Sequence, residues 1–359
     1  MNFCYLLESA DLGGGVRVVF DQVRALIKRG HRVAIRSLKG DSGWYSYPLE
    51  IDFVDRLDIP FPAGDEPDVV ICTYWTTIDP GIRLAAPVIL HLCQGYEGDI
   101  PELKTAHPDI VSAYRQRVPK ITVGEWLSER LCEIFGNDQF PVFKVGQIVD
   151  TSLFTPRRIY IKNGYPNFLR RFMPINIMVV GDYMISCKGI ADALKAVAIL
   201  RKEFSHIRVI RASLFPVTVE EQRITPVDES YVKLPPRQMV SLFMKTDLLL
   251  APSLPEEGFG LPAAEAMACG IPVVLTKIPS YLSFDSTHDY ACFVDIHSPA
   301  AIAACASGIL NNRSEYIRIS RRGVQVIQNR FNSDKVAENI EKIAESFLSP
   351  AKELKVSIH

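Results

Sequence analysis

The feature that most limits what this chain can fold into is an alternation of short apolar runs with longer amphipathic stretches. It starts near residue 3, breaks once near residue 156 and starts again. Residues 3–7 form a short apolar run, closed by the turn Gly13-Gly14-Gly15. The stretch after it places Val19, Val23, Leu26 and Ile27 at spacings of four, three and one, which predicts a helix with one apolar face. Gly30 suits the position just past the end of that helix, where a left-handed backbone is common. Residues 31–37 alternate as a second strand, and further strands are expected at 68–72, 88–92, 121–123 and 143–148. After the break, strands are expected at 175–180, 207–210, 247–251 and 272–276, with helices at 189–204 and 333–347. Short strands separated by helices imply parallel sheets covered on both faces.

At 359 residues the chain is long enough for two such units. The expected division is a first Rossmann-like domain over 1–155, a linker over 156–172 and a second Rossmann-like domain over 173–335. The C-terminal helix, 336–359, is expected to pack back on the first domain. The linker stretch holds five basic residues and no acid over 156–172. Tandem units of this kind open a ligand cleft where the C-terminal ends of their strands face each other.

Charge and composition remove several function classes. The formal net charge is −1, so the whole molecule lacks the electrostatic footprint of a nucleic-acid binder. No apolar run approaches the ~18–20 residues of a membrane span. The first fifteen residues lack the basic start and small-residue cleavage site of a secretory leader. The eight cysteines are scattered, with no C-x-x-C pair, which predicts free, mostly buried thiols in a reducing compartment and no zinc site. The expectation is a cytoplasmic protein, in which the basic stretch 157–171 and Arg115, Arg117 and Lys120 are either a solvated face or a peripheral contact with anionic lipid at the inner face of a membrane.

The most informative stretch is PSLPEEGFGLPAAEAMACGIPVV, residues 252–274. Gly258 and Gly260 let the backbone come close to a ligand. Pro262 suits the first turn of a helix, and Gly270 and Pro272 stop it, so a short helix of small residues is expected over 262–269. The free N–H groups at its start are a ready anion site. Helical side chains lean toward the N-terminus, so the Glu265 carboxylate reaches back to the same place, while Glu257 lies in the loop before it. Two acceptors then flank a row of donors, an arrangement that suits hydroxyls at both ends and phosphates between.

This block resembles the Glu-x7-Glu motif of retaining GT-B glycosyltransferases, family 4, the type found among bacterial polysaccharide and glycolipid enzymes. DLGGGVRV resembles that family's N-terminal glycine loop, VGQIVDTSLFTP the segment closing its first domain, and VVGDYMISCKGI the first strand and turn of its nucleotide domain. The resemblance implies an α/β GT-B fold and a donor that is a nucleotide-diphosphate sugar, with a UDP-sugar favoured. The acceptor would be a saccharide or a lipid-linked group, and no nucleic acid is involved. It implies that Glu257 contacts the donor sugar near the reacting carbon and that Glu265 accepts from the ribose hydroxyls. It also implies that the amides of Phe259, Gly260 and Leu261, beside Gly258, hold sugar and phosphate oxygens. Gly14, Gly15 and Lys188 would bind the phosphates. With no D-x-D motif, no metal or other cofactor is expected.

Two positions depart from the family pattern. Asp182 stands where an arginine usually follows the glycine of the first nucleotide-domain strand. It is expected to turn away and cap the next turn, with Arg157, Arg158, Arg211 or Arg237 compensating. Gln94 stands where the family commonly has histidine. His91, three residues earlier and therefore on the opposite face of the strand, is the remaining histidine candidate for catalysis. Gln94 and Tyr96 are candidate acceptor or sugar contacts, and Trp44, Tyr45, Tyr47, Tyr74 and Trp75 are further candidates for an aromatic platform. The rival readings are a nucleotide-sugar epimerase on the same scaffold and a donor-binding partner subunit without catalysis. A nicotinamide dehydrogenase is disfavoured because Val18 occupies the third glycine position of G-x-G-x-x-G.

Overall fold

A computed structural model describes residues 1–156 and 174–349. The first sheet is wholly parallel. It contains β1 (Asn2–Leu7), β2 (Arg32–Ser37), β3 (Asp52–Phe53), β4 (Val69–Cys72), β5 (Val88–Cys93), β6 (Lys120–Thr122) and β7 (Val142–Lys144), in the order β3-β2-β1-β4-β5-β6-β7. The second is also parallel. It contains β8 (Ile175–Val180), β9 (Ile207–Ser213), β10 (Glu229–Val232), β11 (Leu248–Ala251), β12 (Val273–Thr276) and β13 (Cys292–Val294), in the order β10-β9-β8-β11-β12-β13. Central strands are buried on both faces, which is why they read as continuous apolar runs rather than as alternation. In β1, Phe3, Cys4, Tyr5 and Leu6 are all buried, and Phe3 pairs in register with Val33 on one side and Val69 on the other.

The edges differ from the sequence reading. β3, β10 and β13 were not expected, being short and only partly buried. The expected strand at 143–148 is regular only over Val142–Lys144. The first helix, Gly14–Lys28, buries Val19, Val23 and Leu26 as its periodicity predicts, but Ile27 lies at its solvent edge, 46% exposed. The thiol expectation is corrected at one pair. Cys292 of β13 and Cys305 of the helix Pro299–Asn311 are joined as a disulfide with Cα atoms 6.2 Å apart, and the other six cysteines lie outside any disulfide.

The chain passes from one core to the other within a few residues. Val145 and Ile148 pack with the first sheet, whereas Val149 and Phe154 pack with the second. The helix Ser333–Leu348 then returns to the first core. Its N-terminus is capped by Asn332, whose side chain accepts from the N–H groups of Asp334 and Lys335 at 2.8 and 3.2 Å. Val336, Ala337, Ile340 and Ala344 form its apolar face and join the core of the first sheet. Glu341 holds this face in place through an ion pair with Arg29 and a hydrogen bond to His31 Nε2 at 3.2 Å, and Asp334 accepts from Lys28 at 3.0 Å.

Candidate active site

In both sheets the strand order reverses beside the first strand, between β1 and β4 and between β8 and β11. In open parallel sheets ligands bind outside the carboxyl ends of strands at such reversals. The two reversals face each other across a cavity of about 640 Å³, within the usual range for a small-molecule site. The first domain lines it with the end of β1 at Glu8, the glycine loop, Tyr74 and Gln94. The second lines it with Gly181, Lys188 and the segment from Glu256 to Leu261.

On the second-domain wall, Gly189 has φ +63° and lets the chain turn from Lys188 into the helix Ile190–Leu200 while passing tightly against the Pro252 carbonyl. That turn delivers the Lys188 ammonium to Glu257, and it donates to both carboxylate oxygens at 2.8 Å. Ser253 Oγ donates to the same carboxylate at 3.1 Å and lies 2.9 Å from the Tyr281 hydroxyl. Burial works to lower the Lys188 pKa, but the Glu257 charge and hydrogen bonds outweigh it, and the net shift is upward. Lys188 therefore keeps its charge at neutral pH.

The helix predicted over 262–269 is Leu261–Ala268, starting from Gly260 at φ +80°. Its first turn carries no acidic residue and its cap makes no side-chain bond. Among the described residues no protein acceptor takes the N–H groups of Phe259, Gly260 or Leu261, so the anion site is open toward the cavity. Glu265 is buried in this helix and its carboxylate carries the Arg17 guanidinium, from the first turn of the helix Gly14–Lys28 in the opposite domain. Gln94 Nε2 donates to the Gly15 carbonyl at 3.0 Å, which holds the glycine loop against the end of β5. A Cβ on Gly258 would overlap the Gln94 carbonyl oxygen, so glycine is required where the domains touch.

Gly14, Gly15, Lys188, Glu257, Gly258, Phe259, Gly260, Leu261, Glu265 and Gln94 are thus brought to one cavity. His91 and Tyr96 are not. His91 is fully buried beneath the sheet end, 3.5 Å from Cys93 Sγ and edge-on to Tyr114. Burial, with the nearby Lys120 charge, holds its pKa well below the usual histidine value, so it is a neutral core residue. Tyr96 is buried edge-on to Tyr114 and Phe135. Of the other candidate aromatics only Tyr74 reaches the cavity. Trp44 and Tyr45 pack around Phe20, and Tyr47 covers Arg24.

The expected compensation for Asp182 is also corrected. Asp182 does not cap the turn that follows it. Its carboxylate accepts from the Ser213 hydroxyl and from the Leu214 N–H, tying β8 to the end of β9. Arg211 is buried and spent on Glu221 and on the carbonyls of Val179 and Gly181. Arg237 donates to the Ser46 carbonyl of the other domain at 3.0 Å and does not line the cavity. Arg157 and Arg158, with the basic stretch 157–171, lie outside the described residues. Lys120 is withdrawn as a membrane contact, because it is fully buried over the Phe140 ring and burial lowers its pKa to about 8.

Arg17 and Glu97 are among the cavity residues that were missed. Arg17 gave no signal beyond following a glycine loop. Glu97 lies in a short turn just past Gln94 and accepts from the Tyr114 hydroxyl. Burial pushes its carboxyl up to about 7, against the opposing effect of that hydrogen bond.

Residues 174–312 match the family described as Glycosyl transferases group 1. The second domain is similar to a group 1 glycosyltransferase domain over these residues. The curated D-inositol 3-phosphate glycosyltransferase of Acidothermus cellulolyticus is 23% identical to this chain over 270 residues, 68% of this chain and 56% of that protein. The MMP alpha-(1->4)-mannosyltransferase of Mycolicibacterium hassiacum is 30% identical over 145 residues, 39% of this chain and 32% of that protein. The chain therefore spans about half the length of the first relative and a third of the second. Among solved structures, the sucrose-phosphate synthase of Thermosynechococcus elongatus superposes with a TM-score of 0.76 at 16% identity, covering 96% of this chain and 99% of that one. Anabaena HepE, in complex with UDP and glucose, does so with a TM-score of 0.75 at 15% identity, covering 96% and 100%. At these identities the likeness is one of fold, and the fold is GT-B, two Rossmann-like domains around a cleft.

Proposed function

We propose that this glycosyltransferase moves a hexose from a nucleotide-diphosphate sugar, with a UDP-sugar favoured, to a hydroxyl of a saccharide or lipid-linked acceptor, with retention at the anomeric carbon and without a metal. The observation that carries this reading is the shared wall on which Lys188, Glu257, the open amides of 259–261 and Glu265 stand in one cavity. Glu265 accepts from the ribose hydroxyls, and the open amides hold the phosphates. Glu257 receives hydroxyls of the sugar and keeps Lys188 aimed at the leaving oxygen. The bond from the anomeric carbon to that oxygen breaks with its electron pair going to the phosphate. The acceptor oxygen bonds to the same carbon from the same face, and its proton passes to the departing phosphate. Fixed donors aimed at developing charge lower such barriers by several powers of ten. A cytoplasmic location with peripheral membrane contact belongs to the same proposal, and among the described residues no helix is long and apolar enough to cross a membrane.

The first test is thermal stability against UDP-, GDP- and ADP-sugars, on the wild type and on Glu265→Ala. A ligand at a hundred times its dissociation constant stabilises by about 2.7 kcal/mol. Stabilisation by one nucleotide class, absent in the variant, is expected. Nucleoside diphosphate release with an acceptor, unchanged by EDTA and giving a product of the donor's anomeric configuration, then completes the assignment. An inverted product or an EDTA-sensitive reaction overturns the corresponding part. Donor binding without release on any acceptor makes the chain a donor-binding subunit, a reading to which Asp182 at the strand end lends support.

A further inference from the structure

Among the described residues lining the cavity, Arg17 and Lys188 are the only cations. The ammonium of Lys188 already serves both oxygens of Glu257. Among the described residues the second domain brings no other positive group to the cavity, because Asp182 occupies the strand end and Arg211 is closed beneath it by Glu221 and two carbonyls. A nucleoside diphosphate brings a charge on each phosphate, and the second cation that the described residues offer it is Arg17 of the first domain.

Arg17 stands in the first turn of the helix that begins in the glycine loop, and that helix has no acidic residue in its first turn and no side-chain cap. Its guanidinium reaches across the cleft to Glu265. The pair is largely withdrawn from water, with side-chain exposures of 13% for Arg17 and 3% for Glu265. On its own side Arg17 faces Asp21, and where the chain crosses between the cores it faces Asp150 and lies 5.4 Å from the ring of Phe154 in the second core. A buried guanidinium without a partner carbonyl or carboxylate is costly, so it leaves Glu265 only for another anion. Planar guanidinium groups match phosphate oxygens two at a time, which makes a diphosphate a fitting exchange partner.

We propose that Arg17 is the second diphosphate-binding cation and that it acts by exchange. The incoming diphosphate takes the guanidinium from Glu265, and the freed carboxylate takes the ribose hydroxyls. This rests on the reading of the cleft as a nucleotide-sugar site and deepens it. Phosphate recognition and ribose recognition become two halves of one step. Because Arg17 and Glu265 belong to opposite domains, that step needs both domains in contact.

The test is titration calorimetry of the full chain with UDP, GDP and ADP and with the matching nucleosides, on the wild type, Arg17→Gln, Arg17→Lys and Glu265→Gln. Arg17→Gln is expected to weaken the diphosphate tenfold or more while the nucleoside binds as well as, or better than, to the wild type. Arg17→Lys is expected to recover part of the loss. Glu265→Gln is expected to weaken the nucleoside and to leave the ratio of diphosphate to nucleoside affinity within about twofold. Equal losses of both ligands in Arg17→Gln would make Arg17 a prop for Glu265 and overturn the exchange, and so would no loss of either. If Arg17→Gln does not fold, the ratio in Arg17→Lys and Glu265→Gln decides, and a ratio that falls in Glu265→Gln but not in Arg17→Lys overturns it. Failure of the wild type to bind any nucleoside diphosphate is a different result, which overturns the reading of the cleft itself.

Discussion

The Lys188 ammonium stands 2.8 Å from each carboxylate oxygen of Glu257, so a single cation spans the whole face of that carboxylate. Such a pair both shapes the site and supports the fold, and the two contributions are separable. Lys188→Met is expected to lower kcat about 10²–10³-fold, the usual cost of removing one fixed donor from a site of developing charge. It also leaves Glu257 buried without its partner, so the melting temperature falls. Adding Glu257→Gln is expected to restore much of the melting temperature and none of the rate. A double variant that regains activity sinks the assignment.

Glu97 predicts a pH dependence of stability. Its carboxyl is raised from 4.5 to about 7 in the folded protein, so between those values the folded chain holds a proton that the unfolded chain has released. Stability therefore falls as pH rises through that window. Asp21, raised to about 6 chiefly by burial, acts with the same sign over a lower window. Melting curves from pH 4.5 to 7.5 are expected to show a decline that is shallower in Glu97→Gln than in the wild type. Parallel curves would show that Glu97 titrates as an ordinary carboxylate.

Gly258→Ala tests the contact between domains without touching a charge. The added methyl meets the Gln94 carbonyl oxygen, a backbone atom that cannot rotate away. The expected result is a drop in donor affinity of tenfold or more with little change in melting temperature, and a larger radius of gyration by small-angle scattering. Full affinity would mean that the closed contact is not needed for donor binding.

His91 supplies the contrasting case. Being neutral and enclosed, it is expected to affect stability and not chemistry. His91→Ala should lower the melting temperature, with a loss of about 1–3 kcal/mol from the core, and leave the shape of the pH–rate profile unchanged. Loss of one limb of that profile would return His91 to the reaction.

What the sequence made legible follows the range of the signals it carries. The 252–274 block was readable because its glycines, proline and small helical residues act on their own neighbours, and the helix Leu261–Ala268 lies one residue from its expected position. The buried strands were readable because each is a continuous apolar run. β3 and β10 were not, since half-exposed edge strands carry no such run. His91 and Gln94 were assigned to different faces of one strand, but β5 ends at Cys93, so Gln94 reaches the cleft from the turn beyond it, which strand parity does not describe. Arg17 with Glu265 and Cys292 with Cys305 are tertiary pairings that no local spacing announces.

The backbone joins the two domains at neighbouring points. The Val149 N–H donates to the Phe331 carbonyl at 3.3 Å, and Asn339 of the returning helix donates to the Val145 carbonyl at 3.0 Å. Where one passage of chain leaves the first core, the other comes back to it. A body pinned at two adjacent points keeps rotation about the line through the pins and loses the freedom to twist or slide. Opening of this cleft is thereby reduced to the swing of a door. Its stops are in place where Glu102 accepts from the Ser186 N–H and where Arg237 meets the Ser46 carbonyl, and the C-terminal helix is the leaf of the hinge screwed to the frame.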